Sequence, residues 1–153
     1  MKKIKIIGCG NLLAFDEGIG IHIVRRLYNE ILPENVEVKE LRTPGQLLVE
    51  LLSGAEKLII IDGCCSRQCK SGTVHRYSSS DYSLEEMLSN TIHAHYFYPI
   101  FELRKKLSPH KMPDEMVVIA VEIEDRKKFC VGLSKSVFAS VDDVVNTVIK
   151  ELY

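Results

Sequence analysis

The sequence lacks an excess of charge of either sign. Its 20 Lys and Arg residues against 21 Asp and Glu residues give a formal net charge of −1. Nucleic acids and anionic membranes attract clustered positive charge, and the composition offers no such excess. A basic pair inside a helical pattern, such as Arg25-Arg26, is typical of a solvated helix face. We therefore expect neither a nucleic-acid partner nor a membrane partner.

Long apolar runs are also missing at the N-terminus. Residues 1–7 are charged and then apolar for only a few positions, whereas a signal peptide needs roughly 7–15 apolar residues and a spanning helix about 20. We therefore expect a cytoplasmic protein. An odd number of cysteines agrees with reduced thiols rather than a disulfide framework. The five are Cys9, Cys64, Cys65, Cys69 and Cys130.

Strand and helix patterns alternate along the chain, with no repeat, low-complexity stretch or linker between them. Apolar spacing predicts helices over residues 17–32, 45–52, 96–107 and 135–152. Strands are predicted over 3–8, 36–41, 57–62, 72–77 and 116–123. Continuous apolar runs, such as 58–61, fit strands buried on both faces of a parallel sheet. We expect one α/β domain over residues 1–153, a three-layer α/β/α sandwich whose mostly parallel, twisted sheet has about five strands.

The order of these elements indicates where a ligand binds. If the first strand lies between the second and the third, the direction of the crossovers reverses there, and open α/β sheets bind ligands outside the carboxyl ends of such strands. The loops concerned follow Gly8 and Asp62. Asp16 and Glu17 belong to the first loop, and His95 precedes the third predicted helix. Two carboxylates and an imidazole suit a borderline divalent ion such as nickel or zinc.

Each of these residues also has a structural interpretation. Asp16 is placed to cap the first helix, and Glu17 to complement its dipole. Asp62 is harder to explain in this way, because a carboxylate that ends an apolar strand loses hydration unless it is paired or bound. His93 lies two residues from His95 and competes with it for any role as a ligand.

Two other motifs need interpretation. Residues 8–13 (GCGNLL) begin like a dinucleotide fingerprint, but Leu13 stands where the third glycine is required, and the carboxylates nearby would repel a pyrophosphate. We expect no dinucleotide cofactor. The thiols of Cys64, Cys65 and Cys69 lack Cys-x-x-Cys spacing, so they are interpreted as structural, with an auxiliary metal ligand or a redox-sensitive position as the alternative.

Residues 8–20 (GCGNLLAFDEGIG) resemble the N-terminal motif of the hydrogenase maturation proteases, which is Gly-x-Gly-Asn, a few mostly apolar residues and then Asp-Asp/Glu-Gly-x-Gly. Weaker similarities follow in the family's order along nearly the whole chain. They are Thr43-Pro44-Gly45, the apolar strand ending in Asp62, His95 after a short loop, and Gly132-Leu133-Ser134. The chain departs from the family with Gly63-Cys64-Cys65 after Asp62 and with His93-Ala94-His95 where Ser-x-His is usual. His93 therefore remains an alternative to His95.

The resemblance implies a twisted sheet between helices and an aspartyl-type endopeptidase. The family removes a C-terminal extension from the large subunit of nickel–iron hydrogenase after nickel insertion, so the implied partner is the large-subunit precursor, and we expect a monomer. The implied metal ligands are Glu17, Asp62 and His95. Nickel would arrive with the substrate as a recognition signal, and zinc or cadmium could replace it in a crystal.

Two mechanisms of peptide cleavage are compatible with these residues. In one, the metal polarises the scissile carbonyl while a carboxylate activates water. In the other, nickel only docks the substrate, and Asp16 or Asp62 transfers the proton. Two rival functions remain: a nickel-handling chaperone that does not cleave, and a small-molecule enzyme with Asp16 and Glu17 as its acid–base pair.

Overall fold

The computed structural model describes residues 1–52, 54–124 and 129–153. One five-stranded sheet has the order β2-β1-β3-β5-β4. The strands are β1 (Ile4–Cys9), β2 (Val36–Leu41), β3 (Lys57–Cys64), β4 (Val74–Ser78) and β5 (Glu115–Glu122). Four of them are mutually parallel, and β4 lies antiparallel to β5 at the edge. The prediction of a mostly parallel sheet of about five strands is confirmed.

Helices cover both faces of this sheet, as the sequence predicts. They are α1 (Ile19–Leu27), α2 (Pro44–Leu52), α3 (Leu84–Leu88), α4 (Ala94–Leu107) and α5 (Lys135–Lys150), with 3₁₀ turns at Phe15–Gly18 and Pro109–Lys111. In the part of the chain that the structure describes, none of the helices has both the length and the apolar character needed to cross a bilayer.

The two faces of the sheet bury two separate apolar clusters, because successive side chains of a strand point to opposite sides. On one face, side chains such as Ile59 and Val117 pack with α1 and α5 through Ile23 and Val144. On the other face, the core includes residues from α2, α3 and α4; its members include Ile7, Ile60, Val118, Leu47, Met87, Phe97 and Phe101. The three predicted layers follow from this alternation.

The first helix differs from its prediction at both ends. The 3₁₀ turn Phe15–Gly18 precedes the α-helix. Gly18, and not Asp16, is the N-cap residue of α1, so the prediction that Asp16 caps this helix was wrong. The α-helix ends at Leu27. Ile31, which the helical pattern placed on the apolar face, is 98% exposed. The α-helix ends at Leu27 on the way to β2, and beyond that point Leu32, rather than Ile31, packs against the core.

The short helix α3 was missed in the sequence. Its start is a capping box, in which Ser83 Oγ accepts from Glu86 N at 3.2 Å and Glu86 Oε2 accepts from Ser83 N at 2.7 Å. The Ser-x-x-Glu spacing is the signal for this motif. Met87 and Leu88 are buried by the helix, but a segment of five residues is too short to show helical periodicity.

The N-terminus of α1 lies directly against the ends of β1 and β3. A Cβ atom at Gly20 would lie 2.3 Å from Cys9 O and 2.5 Å from Ile61 O, and one at Gly8 would lie 2.1 Å from Gly20 O. These neighbours are backbone atoms that cannot move aside as a flexible side chain can. Glycine is therefore required at both positions, and this close contact fixes the loop that carries Asp16 and Glu17 relative to the sheet.

We predict that Gly20→Ala lowers the free energy of unfolding by about 1–3 kcal/mol or more, because the added methyl group overpacks the contact between helix and strand. Urea unfolding of the two proteins measures the difference. Gly45→Ala is the matched control, since Gly45 lies in helix α2 and a methyl group added there would meet nothing within 4 Å among the residues that the structure describes. This variant should be neutral or about 0.5–1 kcal/mol more stable. Equal stability of Gly20→Ala and the unmodified protein would contradict the packing argument.

Candidate active site

The candidate site lies where β1 and β3 end side by side. β1 is between β2 and β3 in the sheet, so the crossovers reverse direction at this point, as predicted. Gly8 is paired with Ile61, the residue before Asp62. The loops that follow these two strands therefore leave the same edge of the sheet, which is where open α/β sheets bind their ligands.

Asp62 is the central polar group at this edge. Its side chain has no exposed surface, and its carboxylate is held by three donors. Oδ1 accepts from Gly63 N at 2.9 Å and is 2.8 Å from His93 Nδ1, while Oδ2 accepts from His93 N at 3.2 Å. Burial raises the pKa of Asp62 above its ordinary value, and the contacts with His93 oppose that shift.

His93, and not His95, is the imidazole that contacts Asp62. The backbone places it there: Ile92 N donates to Gly63 O at 2.9 Å, and His93 then occupies the N-cap of α4. The side chain of His93 is 15% exposed. His95 is exposed, and its ring meets the edge of Tyr96 with the centroids 5.0 Å apart. The structure thus favours the alternative that the sequence left open, and the assignment of the metal ligand stays a prediction.

Glu17 is held near the end of β1 by its backbone. Its 3₁₀ turn passes over Gly10, where a Cβ atom would lie 2.2 Å from Glu17 O. Gly10 has φ of +150°, a conformation that suits glycine. The side chain of Glu17 is half-buried.

The predicted ligands Glu17, Asp62 and His95 do not bring one ligand atom each within 4.8 Å of one another. Among residues 1–52, 54–124 and 129–153, the group of side chains that meets this distance lies elsewhere on the sheet.

Asp16 is a second fully buried carboxylate, and it connects distant parts of the chain. Oδ1 accepts from Ser134 N at 2.7 Å, and Oδ2 accepts from Ser134 Oγ at 2.8 Å and from Glu124 N at 3.0 Å. Ser134 is the N-cap of α5. Asp16 therefore fastens the loop after β1 to the segments that flank α5 and β5. Its catalytic role stays a prediction, to which these contacts add a positioning role.

Cys9 and Tyr96 line the neighbourhood of Asp62, and the sequence did not single out either of them for this place. Burial, and then the negative charge of Asp62, raise the pKa of the Cys9 thiol. Burial, followed by the charges of Cys9 and Asp62, likewise raises the pKa of Tyr96. Both groups stay neutral at ordinary pH, so Asp62 lies in a setting of low polarity in which His93 is its ionisable hydrogen-bond partner.

The surface beside the site has room for an extended chain. A cavity of about 430 Å³ is lined by Gly10, Asn11, Leu12, Leu13 and Arg42. The next residues are paired to a second loop, since Ala14 forms a bridge with Cys130. The side chains that flank this bridge are apolar and exposed: Leu13 at 54%, Phe129 at 82% and Val131 at 70%. These three apolar side chains are open to contact from solvent on two loops that the bridge holds together.

Comparison with known proteins agrees with this arrangement. The family model described as hydrogenase maturation protease matches residues 21–151. A Methanocaldococcus jannaschii protein that bears the same family name is 31% identical over 99% of this chain and 97% of its own. The hydrogenase 2 maturation protease of Escherichia coli is 27% identical over 98% of this chain and 90% of its own.

Solved structures show the same fold. The hydrogenase maturating endopeptidase HybD from E. coli superposes with a TM-score of 0.85 at 25% identity, covering 98% of this chain and 91% of that one. The [NiFe] hydrogenase maturation protease HybD from Thermococcus kodakarensis superposes with a TM-score of 0.81 at 24% identity, covering 99% of each chain. From the family match along most of its length and from the shared fold, this chain belongs to the hydrogenase maturation protease family of endopeptidases.

Proposed function

We propose that this endopeptidase removes the C-terminal extension of a nickel–iron hydrogenase large-subunit precursor after nickel has been inserted, and that it works as a monomer in the cytoplasm. The observation that carries the proposal is the buried Asp62–His93 pair at the carboxyl end of β3. Membership of the family supplies the reaction class, and the pair supplies a carboxylate and an imidazole where the substrate would lie.

The donor chemistry of the site fits nickel that arrives as part of the substrate. Carboxylate oxygen and imidazole nitrogen both suit a borderline divalent ion. Asp62 Oδ1 and His93 Nδ1 are 2.8 Å apart, close to the separation of about 3 Å between two donors on one ion with metal bonds of about 2.0–2.2 Å. The ion would take the place of the hydrogen-bond proton between Asp62 and His93, and Glu17 would be its third ligand.

We assign the proton transfer to the carboxylate of Asp62. With the ion on Oδ1, Oδ2 is the oxygen of Asp62 left to accept a proton from water. In the proposed reaction the water oxygen bonds to the scissile carbonyl carbon while its proton passes to Asp62. The carbon–nitrogen bond then breaks, and the same proton passes to the leaving amine nitrogen.

The surface around the site offers contacts to a folded substrate. A folded precursor presents more area than a free peptide, and the exposed apolar residues Leu13, Phe129 and Val131 lie on the two loops joined at Ala14 and Cys130. Burying such side chains against a partner contributes about 25 cal/mol for each Å² of apolar surface. These loops would dock the precursor while its C-terminal segment enters the cavity next to Gly10.

The first prediction for this proposal concerns cleavage. A nickel-loaded large-subunit precursor incubated with the protein should lose its C-terminal peptide, and the nickel-free precursor should not. Asp62→Asn keeps the shape of the side chain but removes its charge and basicity, so cleavage should fall by about 10²–10⁴-fold. Mass spectrometry of the precursor measures the loss.

The control for this assay is His110→Ala, which changes an exposed residue in the 3₁₀ turn before the amino end of β5 and should leave cleavage unchanged. If the protein binds the nickel-loaded precursor tightly but never shortens it, the chaperone function replaces the endopeptidase. Cleavage that is independent of nickel would overturn the proposed role of the metal.

A second prediction separates the two imidazoles. Because His93 contacts Asp62 and His95 is exposed, His93→Ala should weaken nickel binding at least about tenfold, and His95→Ala should change it little. Calorimetric titration of nickel into each purified variant measures the affinities. If His95→Ala shows the larger loss, the ligand is His95, and the ring of His93 serves only to pair Asp62.

A third prediction concerns Asp16. Replacing Asp16 by Asn puts an amide NH₂ group where one carboxylate oxygen accepts backbone N–H groups, so the free energy of unfolding should fall by about 1–3 kcal/mol. Nickel affinity should stay at the wild-type value. Urea unfolding and nickel titration test the two statements. If Asp16→Asn keeps full stability and still loses cleavage, Asp16 is a catalytic residue and not a positioning one.

A further inference from the structure

A second group of metal-ligating side chains lies on the sheet beside the candidate active site. We propose that Cys64, His75 and Glu122 form a binding site for a divalent transition-metal ion, with zinc as the best fit. One ligand atom from each residue lies within 4.8 Å of the other two. Neither the nickel proposal nor the similarity to known proteases assigns a function to these residues.

The sheet itself brings the three side chains together. Cys64 ends β3 and is paired with Glu122, the last residue of β5. His75 on β4 is paired with Ala120, two residues before Glu122. Since residues two apart on a strand point to the same side, all three side chains lie on one face. The site is therefore built on three adjacent strands and not on loops, which is the rigid support that a metal centre requires.

Burial makes this group unlike a chance surface cluster. Cys64 is 1% exposed and Glu122 is 2% exposed. Cys64 forms no disulfide, and burial and the charge of Glu122 raise the pKa of its thiol, so the sulfur becomes a thiolate ligand only when a bound metal ion displaces the proton. The side chain of His75 is 23% exposed and gives an ion a route from solvent. The carboxylate of Glu122 already contacts Ser66 and His75, and a divalent ion would take the place of the thiol proton of Cys64 beside it.

The distances also agree with tetrahedral coordination. His75 Nε2 and Glu122 Oε1 are 3.2 Å apart, and two such donors on one tetrahedral zinc ion lie about 3.4 Å apart when the metal bonds are about 2.0–2.2 Å. Ser66 donates its hydroxyl and its backbone N–H to the same carboxylate. Such hydrogen bonds orient a ligating carboxylate. Three protein ligands leave the fourth position to water or to another donor.

Sulfur, imidazole nitrogen and carboxylate oxygen select the ion by their chemistry. A thiolate disfavours calcium and magnesium, which prefer oxygen ligands, and the mixed set suits zinc and its neighbours in the first transition row.

The ion would join the edge strand β4 to β5 and β3. Cys64 is two residues from Asp62 and forms a bridge with Thr91 on the segment that leads to His93, so the ion would also stiffen the support of the Asp62–His93 pair.

Cobalt substitution tests the site in the full-length protein. After metals are removed with a chelator and thiols are kept reduced, Co²⁺ is titrated in, and the near-ultraviolet band from thiolate to cobalt is recorded. One equivalent of Co²⁺ should develop the band, and one equivalent of Zn²⁺ should abolish it. Asp62→Asn should keep the band, which distinguishes this site from the proposed nickel site whatever the fate of that proposal.

Variants of the ligands complete the test. Cys64→Ser should abolish the band, and His75→Gln should weaken cobalt binding at least about tenfold. Cys69→Ser is the matched control, because Cys69 is an exposed thiol five residues further along, and it should behave as wild type. If Cys64→Ser does not fold, the partly exposed His75 provides the decisive variant. Absence of the band in the wild-type protein, its survival in His75→Gln at unchanged affinity, or its loss in Cys69→Ser would each overturn the proposal.

Discussion

The site depends on the burial of one carboxylate near the carboxyl end of an apolar strand. Asp62 follows Ile59, Ile60 and Ile61 and has no exposed surface, so it must find its partners inside the protein. Gly63 supplies one backbone donor, and His93 supplies another together with its ring. Because these partners belong to the segment before α4, the need to satisfy Asp62 also fixes where α4 begins.

A second buried carboxylate organises the opposite side of the site. Asp16 accepts from Glu124 N and from both donors of Ser134, and so it connects the loop after β1 to the start of α5. The loop also lies close against the strands, because Gly20 has no side chain and its backbone can approach the backbone of Cys9 and Ile61. Two buried acids and a contact between backbones therefore hold the chain segments around one open edge of the sheet.

Several features of the fold were predictable because they depend on local patterns. The apolar run before Asp62 predicted a buried parallel strand, and the alternation of elements predicted the layers and the switch point. The extent of α1 was not predictable in the same way: Ile31 has helical spacing but lies beyond the end of the helix at Leu27 and is exposed, whereas its neighbour Leu32 packs against the core. The Ser-x-x-Glu box of α3 was visible, but the helix is too short for periodicity to reveal.

By itself the sequence determined the strands of the sheet, the alternation of strands with helices and the need of Asp62 for partners, because strand hydrophobicity and the cost of burying a carboxylate are local properties of the chain. Tertiary structure alone decided which partners those residues meet. It placed His93, and not His95, in contact with Asp62, and it placed Ser134 where it donates hydrogen bonds to Asp16. It also brought Cys64, His75 and Glu122 together from three strands. Their separation in sequence carries no spacing signal, since pairing across a sheet is set by strand order and register and not by distance along the chain.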